Sequence, residues 1–133
     1  MQNLKARDVM TTPVVSTNRT TSAETVASYF LSGLYSGMPV TDEARQVIGV
    51  ITEIDLLEAL IEGKDLAKTA AEEVMTKEAI TAEVDTPLMD IMKTMKEKDI
   101  IRIPITKGGK LVGIVARRDI LKRKLAPVPI VVL

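Results

Sequence analysis

Apolar positions change their spacing several times along the chain, and each change marks an element. Ala23, Val26, Ala27, Phe30, Leu31 and Leu34 fall on one helical face, which predicts a helix. The apolar pair Val14-Val15 ahead of it predicts a brief strand. Two strands follow over 38–41 and 47–52, then a helix over 53–62 that Gly63 stops. The same succession then returns. Ala79-Ile80 predicts a strand, and Leu88, Ile91, Met92 and Met95 a helix with Thr86 as N-cap and Pro87 in its first turn. Strands over 101–106 and 110–116 are joined by a turn at Lys107-Gly108-Gly109, and a last helix over 117–125 ends before Pro127. The order is β-α-β-β-α, twice.

Residue identities repeat with the pattern. At a shift of 65 positions, Asp8-Val9-Met10-Thr11 meets Glu73-Val74-Met75-Thr76, Thr21 meets Thr86, and Pro39 meets Pro104. After a one-residue gap near Gln46 the shift is 64, and Gly49 meets Gly113, Asp55 meets Asp119 and Leu57 meets Leu121. The copies occupy 4–63 and 72–126, joined by a linker over 64–71 and followed by an apolar tail over 127–133. Thr69-Ala70-Ala71-Glu72 reads as a capping box, so the linker is expected to be partly helical. A unit of this size has little core of its own, so the two are expected to cover each other's sheets. The predicted class is α/β, of the α+β type, with two repeats packed sheet to sheet about a pseudo-twofold axis.

Composition narrows the function more than the fold. The 133 residues carry 18 Lys+Arg and 18 Asp+Glu, so no net charge draws the chain to a nucleic acid or an anionic membrane. There is no Cys and no His, which removes thiolate chemistry and the commonest general base and transition-metal ligand. Neither a signal peptide nor a membrane span is legible, so a cytoplasmic protein is expected. With one Phe, two Tyr and no Trp, aliphatic side chains and seven Met must fill the core. The lack of an acid/base pair or metal cluster argues against an enzyme.

Two heptads, Gly49-Val50-Ile51-Thr52-Glu53-Ile54-Asp55 and Gly113-Ile114-Val115-Ala116-Arg117-Arg118-Asp119, each end a strand and open a helix. With the Val-Met-Thr openings and the Met38-Pro39-Val40 and Ile103-Pro104-Ile105 strands, they resemble the pattern of a CBS-domain pair, or Bateman module. The resemblance implies a cleft between repeats that takes an adenosine-containing ligand such as AMP, ADP, ATP or S-adenosylmethionine. It further implies that the heptad's Asp receives the ribose hydroxyls and that the Thr three residues earlier bonds ribose or phosphate. One site is then expected from Thr52, Asp55, Arg102 as phosphate anchor and Ile101 beside the base. The other is expected from Asp119, Ser36, Gly37, Thr12 and Val14, with no strong phosphate anchor unless Arg117 or Arg118 turns inward. On this reading the first site is the tighter one.

The plainer reading of the same residues is structural. Thr52-x-x-Asp55 at a strand-to-helix junction is a good N-capping arrangement with no ligand at all. Ala116 replaces the hydroxyl residue in the second heptad, and Arg117 and Arg118 also read as a solvated first turn. Met89, Met92 and Met95 read as core or dimer packing, and the tail as a strip that packs on a neighbouring surface. Two functional classes remain: a ligand-responsive regulatory module, expected to pair into a homodimer and act on an unknown partner, and a ligand-free dimerisation scaffold. No required cofactor is implied.

Overall fold

The structure, a computed structural model, describes residues 3–33 and 37–125. Leu34, Ser36 and the tail over 127–133 lie outside the described residues. The elements are α1 (Ala6–Val9), β1 (Thr17–Asn18), α2 (Ala23–Leu31), β2 (Gly37–Thr41), β3 (Val47–Thr52) and α3 (Glu53–Ile61). After a short 3-10 turn over Leu66–Lys68 come α4 (Ala71–Val74), β4 (Thr76–Lys77), β5 (Ala82–Glu83), α5 (Leu88–Lys98), β6 (Arg102–Lys107), β7 (Lys110–Ala116) and α6 (Arg117–Lys124). The linker is thus partly helical, as its sequence suggests.

Each sheet has a parallel edge and an antiparallel centre. β1 runs parallel to β2, which pairs antiparallel with β3; β5, β6 and β7 repeat that arrangement. The matching bulges at Val40/Thr41 and Ile105/Thr106 carry the duplication down to local irregularities. Val26, Phe30, Met38, Val40, Ile51 and Leu56 form one buried cluster. Leu88, Ile91, Met95, Ile103, Ile105, Val115 and Ile120 form its counterpart. Side chains alternate across a strand, so Pro39 and Pro104, both fully buried, point away from these helix-covered faces. The repeats meet there, sheet to sheet.

Several local expectations shift. Val14-Val15 and Ala79-Ile80 are not strands; the parallel pairing starts later, at Thr17 opposite Val40 and Ala82 opposite Ile105. Those apolar pairs instead lie along clefts between the repeats. Helix α2 stops at Leu31 because Gly33 takes a left-handed conformation (φ 79°) and its N–H bonds the Phe30 carbonyl. Pro87, not Thr86, occupies the N-cap position of α5, with no side-chain cap hydrogen bond. At α4 the capping carboxylate is Glu73, one residue beyond the expected box, accepting from the Ala70 N–H at 2.6 Å. The two-glycine turn is borne out, with φ of 58° at Gly108 and 81° at Gly109, as a type I′ hairpin requires.

The largest departure concerns which copy each opening segment joins. Helix α1 packs on the second repeat: the Ala6 and Arg7 N–H groups donate to the Thr86 and Val84 carbonyls at 2.9 and 3.0 Å. Ala6 is buried in the second cluster. Helix α4 does the converse, with Ala71 and Glu72 donating to Thr21 and Arg19 at 2.7 and 3.0 Å, and Ala71 buried in the first cluster. Strand β4 then adds a fourth strand to the first sheet, beside β3. Its equivalent, Thr11, bridges Ile114. The repeats therefore exchange their openings.

Among the described residues three ion pairs accompany the exchange, one of them Lys5 with Asp85 at 3.8 Å. Arg7 on α1 pairs with Asp85, whereas Glu72 on α4 pairs with Arg19 at 3.7 Å. At the 65-residue shift Asp85 matches Thr20 and Arg19 matches Val84, so docking each opening on its own repeat would leave Arg7 opposite Thr20 and Glu72 opposite Val84. Such exposed pairs are worth only about 0.2–1 kcal/mol each, and self-docking would forgo them.

Candidate functional site

Each strand-to-helix junction closes on its own carboxylate. Asp55 accepts from the Thr52 N–H at 2.7 Å and the Thr52 hydroxyl at 3.1 Å through Oδ2, and from the Thr76 hydroxyl at 3.0 Å through Oδ1. Asp119 accepts from the Ala116 N–H at 2.8 Å, and from the Thr11 hydroxyl at 3.4 Å. The exchange explains the second partner in each case. The Thr of one copy's Val-Met-Thr triplet reaches the Asp of the other copy's heptad. Asp55 is buried, and Asp119 is half-buried.

Two clefts lie between the repeats. The larger, about 440 Å³, has walls of Val50, Ile54, Ile80, Ile101 and Pro104, with Thr52, Thr76 and Arg102 presenting polar atoms. That volume falls in the range of small-molecule sites. The smaller, about 250 Å³, includes Thr11, Val14, Gly37, Arg102, Arg118 and Asp119. Both draw on both copies.

Of the residues expected at the first site, Thr52, Ile101 and Arg102 line the larger cleft. Asp55 does not; its carboxylate sits one layer behind, bonded to two lining hydroxyls. At the second site Val14, Gly37, Asp119 and Arg118 line the smaller cleft. Thr12 is exposed and its neighbour Thr11 takes the lining position. Arg117 faces a separate groove between α5 and α6, with Met95 and Leu121. Ser36 lies outside the described residues. Sequence reasoning missed Thr11 and Thr76, although both were in view as the third residue of the repeated triplet. It also missed Glu78, Asp99 and Lys122, which no spacing rule marks.

Arg102 has an unusual place. It lines both clefts. The duplication pairs it with Gly37, and its side chain lies directly over that glycine: a Cβ built there would stand 2.5 Å from an Arg102 terminal nitrogen. One copy gives up its side chain so that the other's can cross the pseudo-twofold axis. Burial pushes the guanidinium below its usual value, Glu53 opposes that, and nearby Arg117 adds to the lowering. It stays cationic at neutral pH. The cavity also holds a costly backbone position, Glu78, in the left-handed region (φ 56°).

Two β-α-β-β-α copies that trade openings and enclose a pair of clefts define a tandem-repeat module of mixed α+β class. The chain belongs to the CBS-domain family, whose sequence profile matches residues 6–62 and again 71–126. It is 28% identical over 120 residues to an uncharacterized protein of Methanocaldococcus jannaschii, covering 90% of this chain and 42% of that one. It is 36% identical over 93 residues to inosine-5'-monophosphate dehydrogenase of Aquifex aeolicus, covering 69% of this chain and 19% of the enzyme. The chain spans less than two thirds of the length of the curated relatives it matches. A solved CBS-domain pair in complex with 5'-methylthioadenosine and S-adenosyl-L-methionine superposes with a TM-score of 0.81 at 26% identity, covering 91% of this chain and 95% of that one. Among the described residues, no helix is long and apolar enough to cross a membrane.

Proposed function

We propose that the chain is a regulatory module that binds an adenosine-containing ligand between its two repeats and passes the resulting change in their packing to a partner. The observation that carries this reading is the larger cleft: apolar walls from both copies, with Thr52, Thr76 and Arg102 presenting polar atoms and Glu53, Glu78 and Asp99 also among the lining residues. Ile80 and Ile101 offer apolar surface to a flat base, and the Thr52 and Thr76 hydroxyls, whose protons go to Asp55, keep lone pairs that can accept from a ribose hydroxyl. The related CBS-domain pair that binds 5'-methylthioadenosine and S-adenosyl-L-methionine supports the same ligand class. The proposal assigns no catalysis to the chain; steady turnover of a bound ligand, lost on substituting Thr52, would contradict that.

Thermal melting with AMP, ADP, ATP, S-adenosylmethionine and NAD tests the binding. A ligand present at about 100 times its Kd adds about 2.7 kcal/mol, which raises Tm by several degrees. No shift with any adenosine compound overturns the sensor and leaves the scaffold.

We also propose a homodimer. Helix α3 exposes Ile54, Leu57 and Ile61 at 60%, 53% and 85% on neighbouring turns, an apolar stripe that a second copy would cover. Leu57→Asp combined with Ile61→Asp is expected to turn the dimer into a monomer in sedimentation velocity. An unchanged sedimentation coefficient would remove α3 from the interface.

A further inference from the structure

We propose that the two clefts sort ligands by charge. An adenosine compound bearing phosphate enters the smaller cleft at Thr11 and Asp119, and an uncharged or cationic one enters the larger cavity at Thr52 and Ile101. This rests on the adenosine-binding reading above and adds which chemistry each cleft takes.

The duplication supplies an internal control, because most positions of one cleft have an equivalent in the other. Among the described residues the larger cavity is lined by three carboxylates, Glu53, Glu78 and Asp99, against one guanidinium, Arg102. In the smaller cleft three cations, Arg102, Arg118 and Lys122, face one carboxylate, Asp119. The clefts differ because charged residues of each have no like-charged equivalent in the other copy. Arg118 stands where the first copy has Ile54, Lys122 where it has Glu58, and Pro13 where the second has Glu78. Arg118 and Lys122 are one turn apart on α6, so both reach the same anion, and the helix's own N-terminal dipole favours negative charge there as well. The carboxylates of the larger cavity repel phosphate, whereas they cost an uncharged nucleoside nothing and attract a sulfonium or ammonium group.

Arg102 couples the clefts. As the one cation that lines the larger cavity among the described residues, and a shared member of the smaller, it can be drawn across Gly37 toward a phosphate. That leaves the larger cavity more negative. Phosphate in one cleft therefore raises the affinity for a cationic adenosine compound in the other, and the effect is reciprocal.

Titration calorimetry of the chain with AMP, adenosine and S-adenosylmethionine tests this. Arg118, Lys122, Glu53 and Glu78 are all exposed, so their variants should keep the fold, which Tm verifies. The Arg118→Ala, Lys122→Ala double variant is expected to weaken AMP about tenfold or more and to change adenosine by less than about twofold. AMP binding should fall with added salt while adenosine binding does not. The Glu53→Gln, Glu78→Gln double variant should weaken S-adenosylmethionine several-fold, and saturating AMP should tighten S-adenosylmethionine in the parent. The sorting is overturned if AMP and adenosine compete for a single cleft, or if AMP is indifferent to the loss of Arg118 and Lys122. Failure of all three compounds to bind would instead overturn the adenosine-binding reading itself, and the sorting with it.

Discussion

Gly49→Ala should destabilise the chain by about 2–3 kcal/mol, and Gly113→Ala by about 1–2 kcal/mol, in urea unfolding. Neither glycine needs a left-handed backbone. Each is small because the opening turn of the other repeat presses a methionine onto it. A Cβ at 49 would stand 2.5 Å from the Met75 sulfur, and one at 113 would stand 2.6 Å from the Met10 sulfur. The sites differ in what else is near. At 113 the three nearest atoms all belong to the Met10 side chain, whereas at 49 the Thr76 carbonyl oxygen lies at 2.9 Å. A side chain can yield; a backbone atom in the β3–β4 ladder cannot. On a Met10→Ala background, Gly113→Ala should therefore cost less than about 0.5 kcal/mol. On a Met75→Ala background, Gly49→Ala should still cost about 1 kcal/mol or more. If Met10→Ala brings no relief at 113, the exchanged openings are not what fills that space.

The second large effect is at Asp55. Its carboxylate takes three hydrogen bonds in a buried site, and truncation strands one backbone N–H and two hydroxyls. Asp55→Ala should cost about 3 kcal/mol without ligand, from the lost cap and the unsatisfied donors. Asp119→Ala, at a half-buried residue whose second bond is 3.4 Å long, should cost about 1 kcal/mol. The difference in urea midpoints at constant m-value measures this. Equal losses would mean that the Thr76 bond contributes nothing. Because the carboxylate also orients Thr52 and Thr76 on the cavity wall, Asp55→Ala should weaken adenosine binding as well. Asp55→Asn, which keeps one oxygen for the Thr52 N–H, should recover much of the stability.

The capping and ligand-binding readings of the heptads thus meet in one arrangement. The carboxylate of Asp55 is a cap, and what it presents to the cavity is a pair of hydroxyls held in place. A spacing rule finds the cap, since Thr52-x-x-Asp55 lies within one turn. It cannot find Thr76, which is far away in sequence and comes from the other copy.

Much of the architecture is legible in the chain itself. Helical spacing in 23–31 and 88–98, strand pairs ending at Thr52 and Ala116, the glycine turn at 108–109 and the 64–65 residue periodicity all follow from local propensity and pattern, which act between near neighbours. The identity of the duplicated unit follows too. What the chain alone left open was pairing between equals. Two identical opening triplets and two acceptor strands with the same glycine allow either self-docking or exchange, and periodicity is the same in both. Only the tertiary structure decides for exchange, with Met10 on Gly113, Met75 on Gly49, and Lys5, Arg7 and Glu72 paired to charges that their own copy lacks at the matching position. The same holds for charge. Lys122, Glu78 and Asp99 are ordinary surface residues along the sequence, and they become cleft walls only once the two sheets face each other and bring Arg102 across their common axis.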